Sequence, residues 1–165
     1  MTNSPLKYWQ LAAVVAIAVL SSTLASASLS QQPVKRLTDE EKNDIREAVF
    51  RYQFHNNASG LQQLANSYFI SIEAGDPDDK FMERFKDHDP PVKKSSRVKG
   101  EWGVKENGRG SLMFRIDGIK QISADEVEVA GGYFEDGLSA SGNIYTVQRI
   151  KDKWTVTKDK MQWIA

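Results

Sequence analysis

Glu126-Val127-Glu128-Val129-Ala130-Gly131-Gly132-Tyr133-Phe134-Glu135-Asp136-Gly137 is the stretch that decides the fold. Val127, Val129 and Tyr133 alternate against Glu126 and Glu128, the period of a strand with one face buried. Asp136-Gly137 is a strong two-residue hairpin signal, and Tyr145 and Val147 resume the alternation beyond it. Upstream, Leu112, Phe114 and Ile116 alternate with Met113, Arg115 and Asp117. Before them, Trp102 and Val104 alternate ahead of the turn Asn107-Gly108-Arg109-Gly110. Downstream, Lys151-Asp152-Lys153 turns the chain into Trp154 and Val156. Consecutive hairpins imply an antiparallel meander. Gly131-Gly132 inside a strand reads as a bulge or bend that lets the sheet curl.

The half before this meander is helical in pattern. Thr38-Asp39-Glu40-Glu41 is a capping box, its acids suit the helix dipole, and Ile45, Ala48, Val49 and Tyr52 follow on one stripe. Asn56-Asn57-Ala58-Ser59-Gly60 ends that stripe, so the spacing predicts a helix over 39–55. Tyr68-Phe69-Ile70-Ser71-Ile72 reads as a strand. Asp76 as N-cap and Pro77 at the first helical position predict a second helix with Phe81, Met82 and Phe85 on its buried face, closed by Pro90-Pro91. The expected fold class is α+β: two N-terminal helices packed on a curved antiparallel sheet (meander) of about four to six strands. The expected domains are a flexible arm over 28–37 and a single α+β domain over 38–165.

In element order this arrangement resembles the cone-shaped cystatin-like and nuclear-transport-factor-2-like superfamily. At segment level, Asp76-Pro77 with Phe81-Met82-Glu83-Arg84-Phe85 and Pro91-Val92-Lys93-Lys94-Ser95-Ser96 resemble blocks in small exported bacterial proteins of unassigned function. The tail from Gly131 through Leu138-Ser139-Ala140-Ser141-Gly142-Asn143 to Trp154 and Trp163-Ile164 does so too. The resemblance implies export from a bacterial cell and carries no activity with it.

The first 27 residues carry the address. Lys7 precedes the apolar run Leu11–Leu20, and Ala25-Ser26-Ala27 fits the small-x-small rule of a signal peptidase site. Cleavage between Ala27 and Ser28 is expected, with a periplasmic or extracellular destination. The alternative is retention of Tyr8–Ala27 as an inner-membrane tether, since about 20 apolar residues span a bilayer. Removing residues 1–27 from the 165 leaves 138, with 21 basic and 22 acidic residues once Lys7 is gone. That balance argues against nucleic acid as a partner, which normally demands a basic excess. Lys93, Lys94, Arg97 and Lys99 are a local exception, read as a solvated edge. The chain has no cysteine, so thiol nucleophiles, Cys-ligated metals and disulfides are excluded and packing alone must hold the fold.

Candidate chemistry is sparse. His88 sits in Lys86-Asp87-His88-Asp89-Pro90 and reads as a solvated loop histidine, whereas His55 reads as a cation at a helix C-terminus. Asp76, Asp78 and Asp79 lack the spacing of a calcium loop and suit a helix start instead. Asn57-Ala58-Ser59 matches a glycosylation sequon that an exported bacterial protein would not use. There is no G-x-S-x-G, no H-E-x-x-H and no glycine-rich phosphate loop, so no catalytic residue, metal or cofactor is expected. The least conventional segment is Ser139-Ala140-Ser141-Gly142-Asn143, where small polar residues replace the Val, Ile or Thr of a plain strand. It reads either as a curved strand end or as room for a ligand. In the second case Asn143 offers donor and acceptor, and Tyr133 and Trp163 line the sides. The expected function is non-enzymatic binding of a small ligand or an envelope protein. The alternative is an enzyme using Asp, His and Tyr side chains in the same pocket, and a third reading is a structural or inhibitory module without a pocket.

Overall fold

Helix α1, Asp39–His55, begins where the Thr38 hydroxyl accepts from the Glu41 amide at 3.2 Å. Glu41 Oε2 accepts from the Thr38 amide at 2.8 Å, so two of the amides left unpaired at a helix start are satisfied. Ile45, Val49, Phe50, Gln53 and Phe54 are buried, with Ala48 and Tyr52 half-buried beside them. The apolar stripe is therefore wider than the sequence spacing suggests, and it contains one amide. The computed structural model describes residues 35–61, 64–98, 104–106, 109–136 and 138–165. The expected signal segment 1–27 with its Ala27-Ser28 cleavage point, most of the arm, Lys99, Trp102, Asn107-Gly108 and Gly137 lie outside the described residues.

After α1 come strand β1 (Tyr68–Ile72), the single-turn helix α2 (Asp79–Met82) and strand β2 (Val92–Lys94). A two-residue pair, β3 (Lys105–Glu106) and β4 (Arg109–Gly110), precedes the long strands β5 (Leu112–Gln121), β6 (Glu126–Asp136), β7 (Ser139–Ile150) and β8 (Lys153–Ile164). Six of these strands form one sheet in the order β2-β1-β5-β6-β7-β8. β1 runs parallel to both β2 and β5, and the remaining pairs are antiparallel.

These facts overturn the expected α+β class of two N-terminal helices on an antiparallel meander. The described chain is mostly sheet, the sheet is mixed, and only α1 is a helix of substantial length. The second helix fails to extend because Asp78, not Asp76, is its N-cap, accepting from the Phe81 amide at 2.7 Å. Asp76 is instead occupied with Ser95 and Ser96, and the helix tightens into a 3₁₀ turn over Glu83–Phe85. Such a short helix is marginal alone. It is held by Phe81 and Phe85, which pack on Phe50 of α1 at ring distances of 6.2 and 6.3 Å. Arg84, between them, bridges Glu40, Asp44 and Glu47 of α1. The parallel pairing arises because the chain leaves β1 through α2 and returns beside it. A crossover of that kind brings the next strand back in the same direction.

The core lies between α1 and one sheet face. Leu112, Phe114, Ile116, Val127, Val129, Tyr145, Val147 and Trp154 pack there against Ile45, Val49, Phe50 and Phe54. Register shifts interrupt β5/β6 at Ile116/Gly118 and β6/β7 at Phe134/Asp136. Two more interrupt β7/β8, at Thr146/Val147 and Gly142/Asn143. Each bends its strand and inverts which side chains face inward. Among the described residues, no helix is long and apolar enough to cross a membrane.

Candidate functional site

Gln53 stands four residues beyond Val49 and eight beyond Ile45, so the helical period carries it into the core. It is fully buried. Its Nε2 faces three acceptors: the Arg115 carbonyl at 3.2 Å, the Tyr145 hydroxyl at 3.3 Å and the Gly132 carbonyl at 3.5 Å. Exchanging amide nitrogen and oxygen would set an oxygen against two carbonyls, so the orientation is fixed by its surroundings. Gly131 makes the approach possible. A Cβ there would strike the Arg115 carbonyl oxygen and lie 3.1 Å from Gln53 Nε2. The glycine thus admits a helix side chain to the sheet backbone. Gln53 Oε1, in contrast, is buried without a hydrogen-bond partner among the described residues.

Beside Gln53 the sheet and the end of α1 form a partly open cavity of about 170 Å³. Asn56, Asn57 and Ala58 close it from the helix side, and Tyr133, Ser141, Asn143, Tyr145, Asp159 and Met161 from strands β6 to β8. Asn57 is held in place as Nδ2 donates to the Gln53 carbonyl at 2.9 Å and Oδ1 accepts from the Ser59 amide at 3.0 Å. The sequon asparagine thereby serves as a local cap. On the strand side, Ser141 Oγ donates to Asn143 Oδ1 at 2.8 Å, and Asn143 Nδ2 donates to Asp159 Oδ1 at 2.6 Å. This chain fixes the Asn143 amide and leaves Asp159 Oδ2 free of it. Among the described residues lining the cavity none is basic, and Asp159 is the one charged group. Burial raises the Tyr145 phenol above its ordinary pKa, against the bond from Gln53 and with a further push from the Asp159 charge. Burial and the same carboxylate also raise Tyr52, whose ring meets that of Tyr145 at 5.8 Å.

Of the three ligand-contact candidates, Tyr133 and Asn143 line this cavity and Trp163 is not among its lining residues. The indole of Trp163 lies where a Cβ on Gly142 would project, and Arg115 stacks over it at 5.6 Å. Gly142 alternates with Asn143 and Arg115 with the core residues Phe114 and Ile116, so this stack belongs to the opposite sheet face. The small residues of 139–143 thus serve both sides of the sheet. Ser141 and Asn143 open the cavity, and Gly142 seats the indole. Gln53 and Asp159 were not singled out by sequence reasoning. Gln53 carried a signal, being a polar residue on an apolar stripe. Asp159 carried none.

The other candidates are structural in setting. His88 is not the solvated loop residue its neighbours suggest. It is half-buried, its ring 4.9 Å from Phe54 and 5.7 Å from Tyr68, while Nδ1 donates to the Pro90 carbonyl at 2.8 Å. His55 is exposed at the end of α1. Neither histidine lines the cavity. Asp76 is held below the ordinary carboxylate pKa by hydrogen bonds from Ser96 and Ser95. Asp78 caps α2, and Asp79 pairs with Lys94 at 2.6 Å, which engages one cation of the basic run. Among the described residues no group of His, Cys, Asp and Glu is arranged to hold a metal ion. No protein-family model, curated protein or solved structure matches this chain.

Proposed function

We propose that this protein is an exported bacterial domain that holds a small polar molecule in the cavity between the end of α1 and strands β6 to β8. The observation that carries the reading is Gln53, a cavity-lining residue whose buried amide oxygen, Oε1, has no hydrogen-bond partner among the described residues. Leaving a buried acceptor unpaired costs about 1–3 kcal/mol, and folded proteins rarely tolerate it. A ligand donor in the cavity removes that cost. The fixed Ser141–Asn143–Asp159 chain supports the same reading, because it presents oriented polar atoms at small expense of side-chain freedom. Export rests on the segment Lys7 to Ala27.

The test is Asn143→Ala. It breaks the chain to Asp159 while leaving the Gln53 anchor intact. In a thermal-shift screen against small polar metabolites, compounds that raise the wild-type melting temperature are expected to lose most of that effect in the variant. Equal shifts in both proteins would sink the proposal.

A further inference from the structure

The polar groups on the cavity wall narrow what it can hold, and we infer that its occupant is a small aliphatic amine carrying a second N–H or O–H donor. This inference rests on the cavity being a ligand site. Three observations converge on it. Gln53, which lines the cavity, keeps an amide acceptor, Oε1, buried and without a partner among the described residues, so a ligand that reaches it must donate. The one charged lining group is the Asp159 carboxylate, and no described residue lining the cavity is basic. The two acceptors differ in depth, since Gln53 is fully buried and Asp159 half-exposed. A ligand with a neutral or cationic donor at its inner end and an ammonium near Asp159 satisfies both. Tyr133 and Tyr145 add phenol rings to the wall, and aromatic walls suit organic cations.

Other classes fit less well. An anion would be placed beside Asp159 with no cation to hold it. A neutral polyol answers Gln53 but leaves the carboxylate without a counter-charge. Calcium takes six to eight oxygen ligands, more than one carboxylate and a few amides supply here. Size sets the remaining limit. A cavity of about 150 Å³ accepts benzene, so the 170 Å³ present here suits a ligand of about six heavy atoms.

The probes follow from this: 4-amino-1-butanol, its neutral counterpart 1,4-butanediol, and the anion 4-hydroxybutyrate. Each is titrated into the ¹⁵N-labelled exported protein while the side-chain amides of Gln53 and Asn143 are followed by NMR. The amino alcohol is expected to shift both amides and to bind about tenfold tighter than the diol, as a charge-assisted bond replaces a neutral one. Added salt is expected to shrink that ratio, and Asp159→Asn to abolish it. The salt series on the wild type reads the same electrostatic preference without any substitution. Diol binding as tight as the amine, with both amides shifting, overturns the amine inference and leaves the ligand site standing. Silence from all three probes at both amides overturns the inference, and silence from a broad polar fragment set as well removes the ligand site.

Discussion

Gln53 joins two roles that pull apart under mutation. Its Nε2 ties α1 to the sheet at Arg115, Gly132 and Tyr145, whereas its Oε1 has no hydrogen-bond partner among the described residues. Gln53→Leu removes both, stranding the sheet acceptors but deleting the orphan, and is expected to cost about 1–2 kcal/mol. Gln53→Glu is nearly isosteric but sets a buried carboxylate against the same carbonyls. It is expected to cost at least about 2 kcal/mol more than the leucine variant, because an unpaired buried charge is far dearer than a lost neutral bond. Urea unfolding of the two variants checks the order, and a glutamate variant as stable as the leucine one would contradict the geometry. At this scale the sequence was partly legible. Gln53 falls on the period of Ile45 and Val49, so its burial was there to be seen. The face taken by Trp163 was not. β8 turns Trp154 and Val156 toward the core, yet Thr157 is an extra residue, so Asp159 and Met161 face the cavity instead. Gln162 is a second extra residue, and Trp163 pairs with Gly142 and faces away. Two one-residue insertions invert parity twice, and no alternation pattern announces them.

Helix α1 is the element on which the cavity depends, and its start is guarded by Glu41. That carboxylate is held down from its ordinary value of 4.5 to about 2 by the Thr38 amide, with help from the Arg149 guanidinium at 2.6 Å. A carboxylate with a depressed folded pKa contributes stability above its unfolded pKa and loses it as pH falls through the folded value. The Glu41 contribution is therefore full above about pH 4.5 and lost between there and about pH 2. Glu41→Gln is expected to lower the melting temperature at pH 7 and to flatten its decline across that acid window. An acid limb identical to the wild type would contradict the assignment. The capping box, the 39–55 helix and the strand 68–72 were all legible, because local hydrogen bonding and periodicity set them. The direction of β1 was not taken from the sequence, although a hint was present. Tyr68, Phe69 and Ile70 are all buried, and an unbroken apolar run is what a strand covered on both faces requires. The short α2 was misjudged because Asp76 and Asp78 are both competent caps, and tertiary bonds from Ser95 and Ser96 decide between them.

Across the whole molecule, the chain builds its core without a disulfide, from one long helix laid on one face of a mixed sheet. The same sheet carries a cavity at the end of that helix and an indole–guanidinium stack on the other face. Glycines at 131 and 142 make the two features compatible, one admitting Gln53 and the other seating Trp163. The central claim is that the cavity is built for a ligand. Native mass spectrometry of the protein recovered undenatured from the envelope of an exporting cell tests it most directly. A ligand site predicts a chain beginning at Ser28 that carries a small adduct, and the same chain bare when Gln53→Leu is recovered in parallel. Wild type and variant that both arrive bare, or with the same adduct, would contradict it.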